Sequence, residues 1–330
     1  MRYYCTLFDS NYLPHAMSLA DSLRKWSDDF TLIMFCMDDA AYQHVVSLGM
    51  PDLLPISGDE LDRRVAGLPE ARANRSRVEY FYTCSPAICY YSVNYIGGVD
   101  EITYLDADLY FFNSPEPIFE EIGDKSIGII EHRFARRQRR RARYGRFNVA
   151  WITFRADDEG TACLNRWLFD CIAWCYQRLE DGKYADQKYL DQWPDLYRSL
   201  HVISHPGANV APWNIGDYKL SMRSNVVYVN DSPLIFYHFA DFRQVGANHF
   251  RTGLSAVRVK TSGVLKDQVY TPYARSIMRF MSYDRRIASK PATHVRGLKS
   301  HVRALVRALR GVRYPDVITI NPGVSRTERS

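Results

Sequence analysis

The stretch Glu101–Asn113, EITYLDADLYFFN, constrains this chain more than any other. An apolar, β-leaning run (Ile102, Tyr104, Leu105) delivers Asp106 and Asp108 with one residue between them, and a second apolar run, Leu109–Phe112, follows at once. Burying a pair of carboxylates between two apolar strands is costly unless something offsets their charge. A hard divalent cation, itself facing phosphate oxygens, does so. A short acidic turn between strands is the other reading, because Asp is a favoured turn residue. The Asp-x-Asp spacing alone leaves both open, and the rest of the chain has to decide between them.

The segments before it set the fold class. Arg2–Leu7 reads as a first strand, and Asp9 and Ser10 can cap the helix that Leu13, Met17, Ala20 and Leu23 mark at three- and four-residue steps. Thr31–Met37 is a continuous apolar run of the kind found in a parallel sheet covered on both faces. A helix over Ala40–Leu48 and a strand over Leu53–Ile56 complete a β-α-β-α-β alternation, which predicts a doubly wound α/β domain. Ligands bind such sheets beyond the carboxyl ends of the strands, where Asp9, Ser10, Asn11 and Tyr12 stand. No Gly-rich turn of the dinucleotide or P-loop kind is present, which argues against a Rossmann dehydrogenase or a P-loop kinase.

Further along, Glu79–Ile96 is helical in character with an interruption expected at Ser85–Pro86. Short elements follow at Pro115–Glu121 (helix) and Ser126–Ile130 (strand), then a strand FNVAWITF opening on Asn148 and a long helix over Thr161–Arg178. Ala185–Trp193 opens a short helix with Asp186 and Gln187, and His201–Ser204 is a strand. A loop carries Asn209, Trp213 and Asn214, and the apolar strand Leu234–Phe239 contains His238. Taken alone, a histidine in an apolar strand is a core residue more often than a ligand.

The net charge of +6 is concentrated in two places. Glu131–Arg146 holds eight arginines between positions 133 and 146, readable as a solvated loop, an RNA-binding run, a mobile lid over a diphosphate or a patch for an anionic surface. Arg285–Arg313 has nine Lys/Arg and no acidic residue, with Val295, Leu298, Val302 and Leu309 at helical spacing. That is a basic amphipathic helix, suited to peripheral attachment to an anionic membrane or to packing on the domain with a basic outer face. The seven cysteines lie in apolar segments without a CxxC or zinc spacing and read as buried free thiols. With no signal-peptide layout or bilayer-length apolar run, a cytoplasmic protein is expected, free or peripheral on the inner face of the membrane.

Several of these pieces together resemble the GT-A glycosyltransferases, in particular the retaining group that includes glycogenin and bacterial lipopolysaccharide galactosyl- and glucosyltransferases. FDSNY is similar to the element that contacts the nucleotide in that family, implying such contacts for Asp9, Asn11 and Tyr12. YLDAD resembles its metal motif, implying Mn²⁺ or Mg²⁺ on Asp106 and Asp108, with His238 of YHF completing the site. Asn148 resembles a donor-sugar contact, and Asp186 with Gln187 the element lining the reacting face of the sugar. Where the family follows its metal histidine with Gly and a phosphate-contacting Lys, this chain reads HFADFR, which leaves that contact to Arg243 or the Arg-rich segment. No arginine falls in Ala87–Tyr95, where relatives place one against the donor.

The resemblance implies a GT-A domain over residues 1–270, a Rossmann-like mixed and mostly parallel sheet flanked by helices, with a basic, partly helical extension over 271–330. It implies metal-dependent, retaining transfer of a hexose from a nucleotide diphosphate sugar, expected to be a UDP-sugar, to a glycan or glycolipid acceptor. Asn209, Trp213 and Asn214 can hold sugar hydroxyls, Trp213 by stacking on a ring. A nucleotidyltransferase or sugar-phosphate pyrophosphorylase is the rival enzyme, weakened by the missing Gly-rich nucleotide loop. A basic nucleic-acid-binding module built on the arginine run is the rival from another class, although nucleic acid is not the expected partner. A catalytically silent scaffold of the same fold is a third possibility.

Overall fold

Alternating apolar runs and helix-period segments give β1 (Arg2–Phe8), α1 (Leu13–Trp26), β2 (Phe30–Cys36), α2 (Asp39–Leu48) and β3 (Leu53–Ser57). The computed structural model describes residues 1–284 and 316–320. The chain divides into two compact units, Met1–Phe239 and Ala240–Ser330.

The first unit continues through α3 (Gly58–Arg64), α4 (Leu68–Asn74), α5 (Arg77–Tyr95), β4 (Glu101–Leu105), β5 (Leu109–Phe111), α6 (Glu116–Ile122) and β6 (Ile127–Glu131). After a 3-10 segment, Arg136–Tyr144, come β7 (Phe147–Arg155), α7 (Asp158–Ala173), α8 (Trp193–Leu196) and β8 (Leu200–Ile203). Seven strands form one sheet in the order β3-β2-β1-β4-β7-β6-β8. Only β7 runs against its neighbours, so the sheet is mixed and mostly parallel, as expected. The runs FTLIMFC and FNVAWITF are buried almost throughout because both faces of the sheet are covered. On one face α5 and α7 bring Cys84, Ile88, Leu164 and Trp167 into the core with Ile33, Phe35 and Ile102. On the other, Trp151 lies among the rings of Tyr4, Phe111, Phe119 and Phe236, stacked on Phe236 at 5.7 Å. All seven cysteines are buried and free.

Three local expectations are corrected. Asp9 and Ser10 do not cap α1, whose N-cap is Tyr12. The Asp9 carboxylate instead closes a turn by accepting the backbone N–H groups of Asn11 and Tyr12. The expected break at Ser85–Pro86 is absent: α5 runs unbroken with Pro86 inside it. Burial of Thr83, Cys84, Ile88 and Cys89 outweighs one lost helical hydrogen bond, and a capping box of Ser76 with Glu79 starts the helix. The helix over Thr161–Arg178 begins earlier and stops sooner, at Ala173, because Asp157 caps its start and the Tyr189 hydroxyl donates to the Trp174 carbonyl at its end.

Two smaller pairings finish the unit. β9 (Leu220–Arg223), β10 (Val226–Val229) and β11 (Ser232–Pro233) form an antiparallel meander, and β12 (Phe236–His238) pairs antiparallel with β5. That register sets His238 opposite Leu109, one residue past Asp108, and the Phe239 N–H donates to the Asp108 carbonyl at 3.0 Å.

In the second unit, β13 (Arg243–Gly246), β14 (His249–Arg251) and β15 (Val317–Thr319) make an antiparallel sheet, and α9 spans Thr271–Asp284. Phe242 stacks on Phe250 at 5.3 Å and packs against Tyr273. The Asp316 carboxylate accepts from Arg251 and Ser255, tying β15 to β14. The basic amphipathic helix expected between Val295 and Leu309, and the tail 321–330, lie outside the described residues. No helix among the described residues is long and apolar enough to cross a membrane.

Trp151 is the wedge that joins the β5–β12 pair to the main sheet. Trp151→Ala is expected to cost about 3–5 kcal/mol in urea unfolding; a loss under about 1 kcal/mol would show that the ring cluster does not hold the pair in place.

Candidate functional site

Because β2, β1 and β4 are parallel neighbours, their carboxyl ends form one edge of the sheet, and Asp38, Asp9 and Asp106 stand just past those ends. Asp9 is buried, and its Oδ2 lies 2.5 Å from the Arg77 guanidinium, which also reaches Asp38 at 3.6 Å. The Asp38 carboxylate accepts from the Ser10 backbone and hydroxyl and from the Ala41 N–H at the start of α2. Asn11 and the Tyr12 ring remain exposed beside this knot. Arg77 is a site residue the sequence does not flag. It opens α5, ten residues before Ala87–Tyr95, and reaches Asp9 only through the fold.

At the end of β4, the ligand atoms of Asp106, Asp108 and His238 lie within 4.8 Å of one another. His238 Nε2 is 3.1 Å from Asp108 Oδ1 and 3.7 Å from Asp106 Oδ2. Atoms bound at about 2.1 Å around one octahedral cation stand roughly 3 Å apart when adjacent and roughly 4.2 Å when opposite. Two carboxylates and an imidazole at these separations therefore fit a divalent ion after a small closure, and the donor set suits Mg²⁺, Mn²⁺ or Zn²⁺. Burial raises the Asp106 pKa and the Asp108 charge raises it further, against the pull of His238. Burial works against Asp108 and His238 as well. Their mutual attraction prevails, so the Asp108 pKa is lowered and that of His238 raised. The Tyr104 hydroxyl donates to Asp106 Oδ1 at 2.9 Å and orients it.

Behind His238 runs a chain of hydrogen bonds that dictates its tautomer. The Arg146 carbonyl can only accept, so the His132 Nδ1–H donates to it at 3.2 Å. Burial pushes the His132 pKa down to about 3, which keeps the ring neutral and its Nε2 an acceptor for the Asn148 amide N–H at 3.2 Å. Asn148 Oδ1 then accepts from His238 Nδ1–H at 3.3 Å, which turns His238 Nε2 toward the two aspartates. A bulge where β7 meets β6, with Ile129 opposite Ile152 and Ile130 opposite Asn148, sets Asn148 at this point. Trp213 closes the wall: it is buried, donates its indole N–H to the His132 carbonyl and meets the His238 ring edge-on at 5.0 Å. The Asn214 side chain is consumed by the Ala211 N–H and the His132 and Asn209 carbonyls. Asn209 takes a left-handed conformation (φ 53) and donates to the Glu131 carbonyl, while its buried Oδ1 has no partner among the described residues.

Asp186 and Gln187 form a further flank. Asp186 is buried against α5, where the Ser85 hydroxyl donates to it at 2.8 Å. Burial lifts its pKa to about 7, the Ser85 hydrogen bond opposing and the nearby Asp106 charge adding to the rise. The Gln187 amide donates to the Tyr144 carbonyl at 2.8 Å and packs on Gly145. A Cβ at Gly145, where φ is 141, would sit 3.2 Å from the Gln187 amide nitrogen, so glycine admits both the turn and the close approach. Arg243 lies in the second unit, exposed at the start of β13.

No protein-family model matches the chain. It is 32% identical over 256 residues to the uncharacterized protein YfnF of Bacillus subtilis (strain 168), covering 75% of this chain and 84% of YfnF. It is 29% identical over 282 residues to the uncharacterized protein YfnD of the same organism, covering 84% of this chain and 89% of YfnD. Among solved structures it is similar to the galactosyltransferase LgtC in complex with donor and acceptor sugar analogs, with a TM-score of 0.50 and 14% identity over 88% of this chain and 98% of that one. The likeness to LgtC concerns the fold, which is the GT-A fold.

Two measurements test this geometry. His132→Phe keeps a flat ring, somewhat larger than imidazole, but removes the acceptor for Asn148, and is expected to weaken Mn²⁺ binding about 10–100-fold by calorimetry; unchanged affinity would separate His132 from the metal centre. Asp186 keeps a proton in the folded chain between roughly pH 4, its ordinary range, and pH 7. Its contribution to stability is full below pH 4 and is lost as pH rises through 7. The thermal midpoint of the wild type should therefore fall across that window relative to Asp186→Asn, and a pH-independent difference would contradict the shift.

Proposed function

We propose, from the premise that the chain belongs to the family of the Bacillus subtilis protein YfnF and has the GT-A fold, that it transfers a hexose from a nucleotide diphosphate sugar, a UDP-sugar, to a glycan or glycolipid acceptor with retention at the anomeric carbon. The observation that carries this reading is the convergence of Asp106, Asp108 and His238 just past the central strand of the sheet. A divalent cation held by these three residues would act as a Lewis acid toward the departing diphosphate.

The chain's own residues divide the remaining work. Asp9, held by Arg77 and the Asn11 and Tyr12 amides, fixes the loop on which Asn11 and Tyr12 meet the base and ribose. Arg77 can exchange its ion pair with Asp9 for a bidentate contact to a donor phosphate. Asn148 keeps one amide proton and one carbonyl lone pair beyond its two imidazole bonds, enough for a sugar hydroxyl. The unpartnered Oδ1 of Asn209 can accept another, and Trp213 offers an apolar wall. Asp186, buried and anchored by Ser85, places Gln187 against the developing positive charge at the anomeric carbon. No strong side-chain base is needed if the acceptor hydroxyl attacks from the face the diphosphate leaves.

A thermal-shift panel of nucleotide diphosphates and nucleotide sugars, each with and without Mn²⁺, tests the reading. Stabilisation confined to one nucleotide sugar and dependent on Mn²⁺ is expected, and it should disappear in Asp106→Asn and Asp108→Asn protein that still unfolds cooperatively. Full metal-dependent turnover in either variant would sink the site assignment. RNA affinity without any nucleotide response would favour the binding-module alternative.

A further inference from the structure

The 3-10 segment Arg136–Tyr144 has no buried residue and carries Arg136, Arg137, Arg139, Arg140, Arg141 and Arg143. Among the described residues none of these six forms an ion pair with a carboxylate. By contrast, Arg146 just beyond the segment is neutralised by Glu131 at 2.5 Å. A 3-10 helix eclipses residues three apart and rises about 2.0 Å per residue, so Arg137, Arg140 and Arg143 form one row with roughly 6 Å between steps. Such a row suits an extended chain of regularly spaced anions, each met by a guanidinium fork.

Both ends of the segment are pinned to the candidate site. At its start the Ala135 N–H donates to the Trp213 carbonyl and the Arg136 N–H to Asp217. At its end the Tyr144 carbonyl takes the Gln187 amide, and the Tyr144 ring packs on Tyr184 at 4.7 Å. The row therefore runs from the wall behind His238 to the residue proposed to face the reacting sugar. It lacks the large apolar side chains with which a membrane-binding segment inserts. Unopposed guanidinium groups at this place favour an anion that arrives with the reaction over a permanent internal partner.

We infer that the Arg136–Tyr144 segment is the acceptor-docking surface and that the acceptor is a polyanionic chain, a glycan or polyol polymer bearing phosphate groups, held by the Arg137–Arg140–Arg143 row. This rests on the transferase reading above. It goes further in giving the acceptor a chemical class and an address distinct from the donor phosphates.

The test uses the full chain and short-chain inorganic polyphosphate as a probe of the charge row. Polyphosphate should bind the wild type and bind Arg137→Gln/Arg140→Gln/Arg143→Gln at least about tenfold more weakly, since charged hydrogen bonds are being lost. The triple variant should keep the thermal shift given by UDP with Mn²⁺, and polyphosphate should not displace UDP when Mn²⁺ is kept in excess over the phosphate it can chelate. Equal affinity in wild type and variant overturns the inference. So does displacement of UDP, which would place the polyanion at the donor site. Dependence on these arginines seen only with phosphatidylglycerol vesicles or single-stranded RNA would replace the acceptor with a membrane or a nucleic acid. A wild type that gives no shift with UDP and Mn²⁺ refutes the transferase reading itself, and the acceptor role with it.

Discussion

Two negative charges placed one residue apart at the end of a buried strand set the terms for much of the first unit. Asp106 and Asp108 are tolerable only because His238 comes within 3.1 Å of one and 3.7 Å of the other. His238 gets there by antiparallel pairing of β12 with β5, held by stacking of Phe236 on Trp151. Its ring is turned by Asn148, which is turned by His132, which is anchored on a backbone carbonyl. Each link removes a rotational freedom that a cation would otherwise have to remove on binding.

The same logic shapes the flank that holds Asp186. A carboxyl buried against α5 holds its proton up to about pH 7, because burial and the charge of Asp106 both resist its ionisation. Ser85 can serve it only because α5 passes unbroken through Pro86, so the helix that the sequence marks for a break carries the site's support. Asp9 is handled in the opposite way. It receives backbone amides and the Arg77 guanidinium, so its charge is met on the spot.

Features carried by local periodicity and composition were legible: the alternating α/β elements, the continuous apolar strands, the free buried cysteines and the order of the polar positions along the chain. The misjudged elements failed for one physical reason. Proline at 86, the candidate caps at Asp9 and Ser10 and the far end of α7 were read from local propensity, and tertiary packing overrode it. Arg77, His132 and Ser85 were not singled out for the site, because nothing in their own neighbourhoods marks them. Each acquires a role only from a residue distant in sequence or on the facing strand, as Ser85 does from Asp186 and Arg77 from Asp9.

The amino-acid sequence by itself determined the class of fold, the carboxylate pair at the end of a central strand and the positions of the polar residues that accompany it. Strand periodicity and residue chemistry are local properties that survive being read one segment at a time. Only the tertiary structure decided that Asp108 and His238, 130 residues apart, meet across a β pair, and that His132 and Asn148 choose the face His238 presents. It also decided that the arginine row starts beside Trp213 and ends beside Gln187. Hydrogen bonds act over about 3 Å and screened Coulomb forces over about 10 Å, and only the folded backbone brings such distant residues within that range.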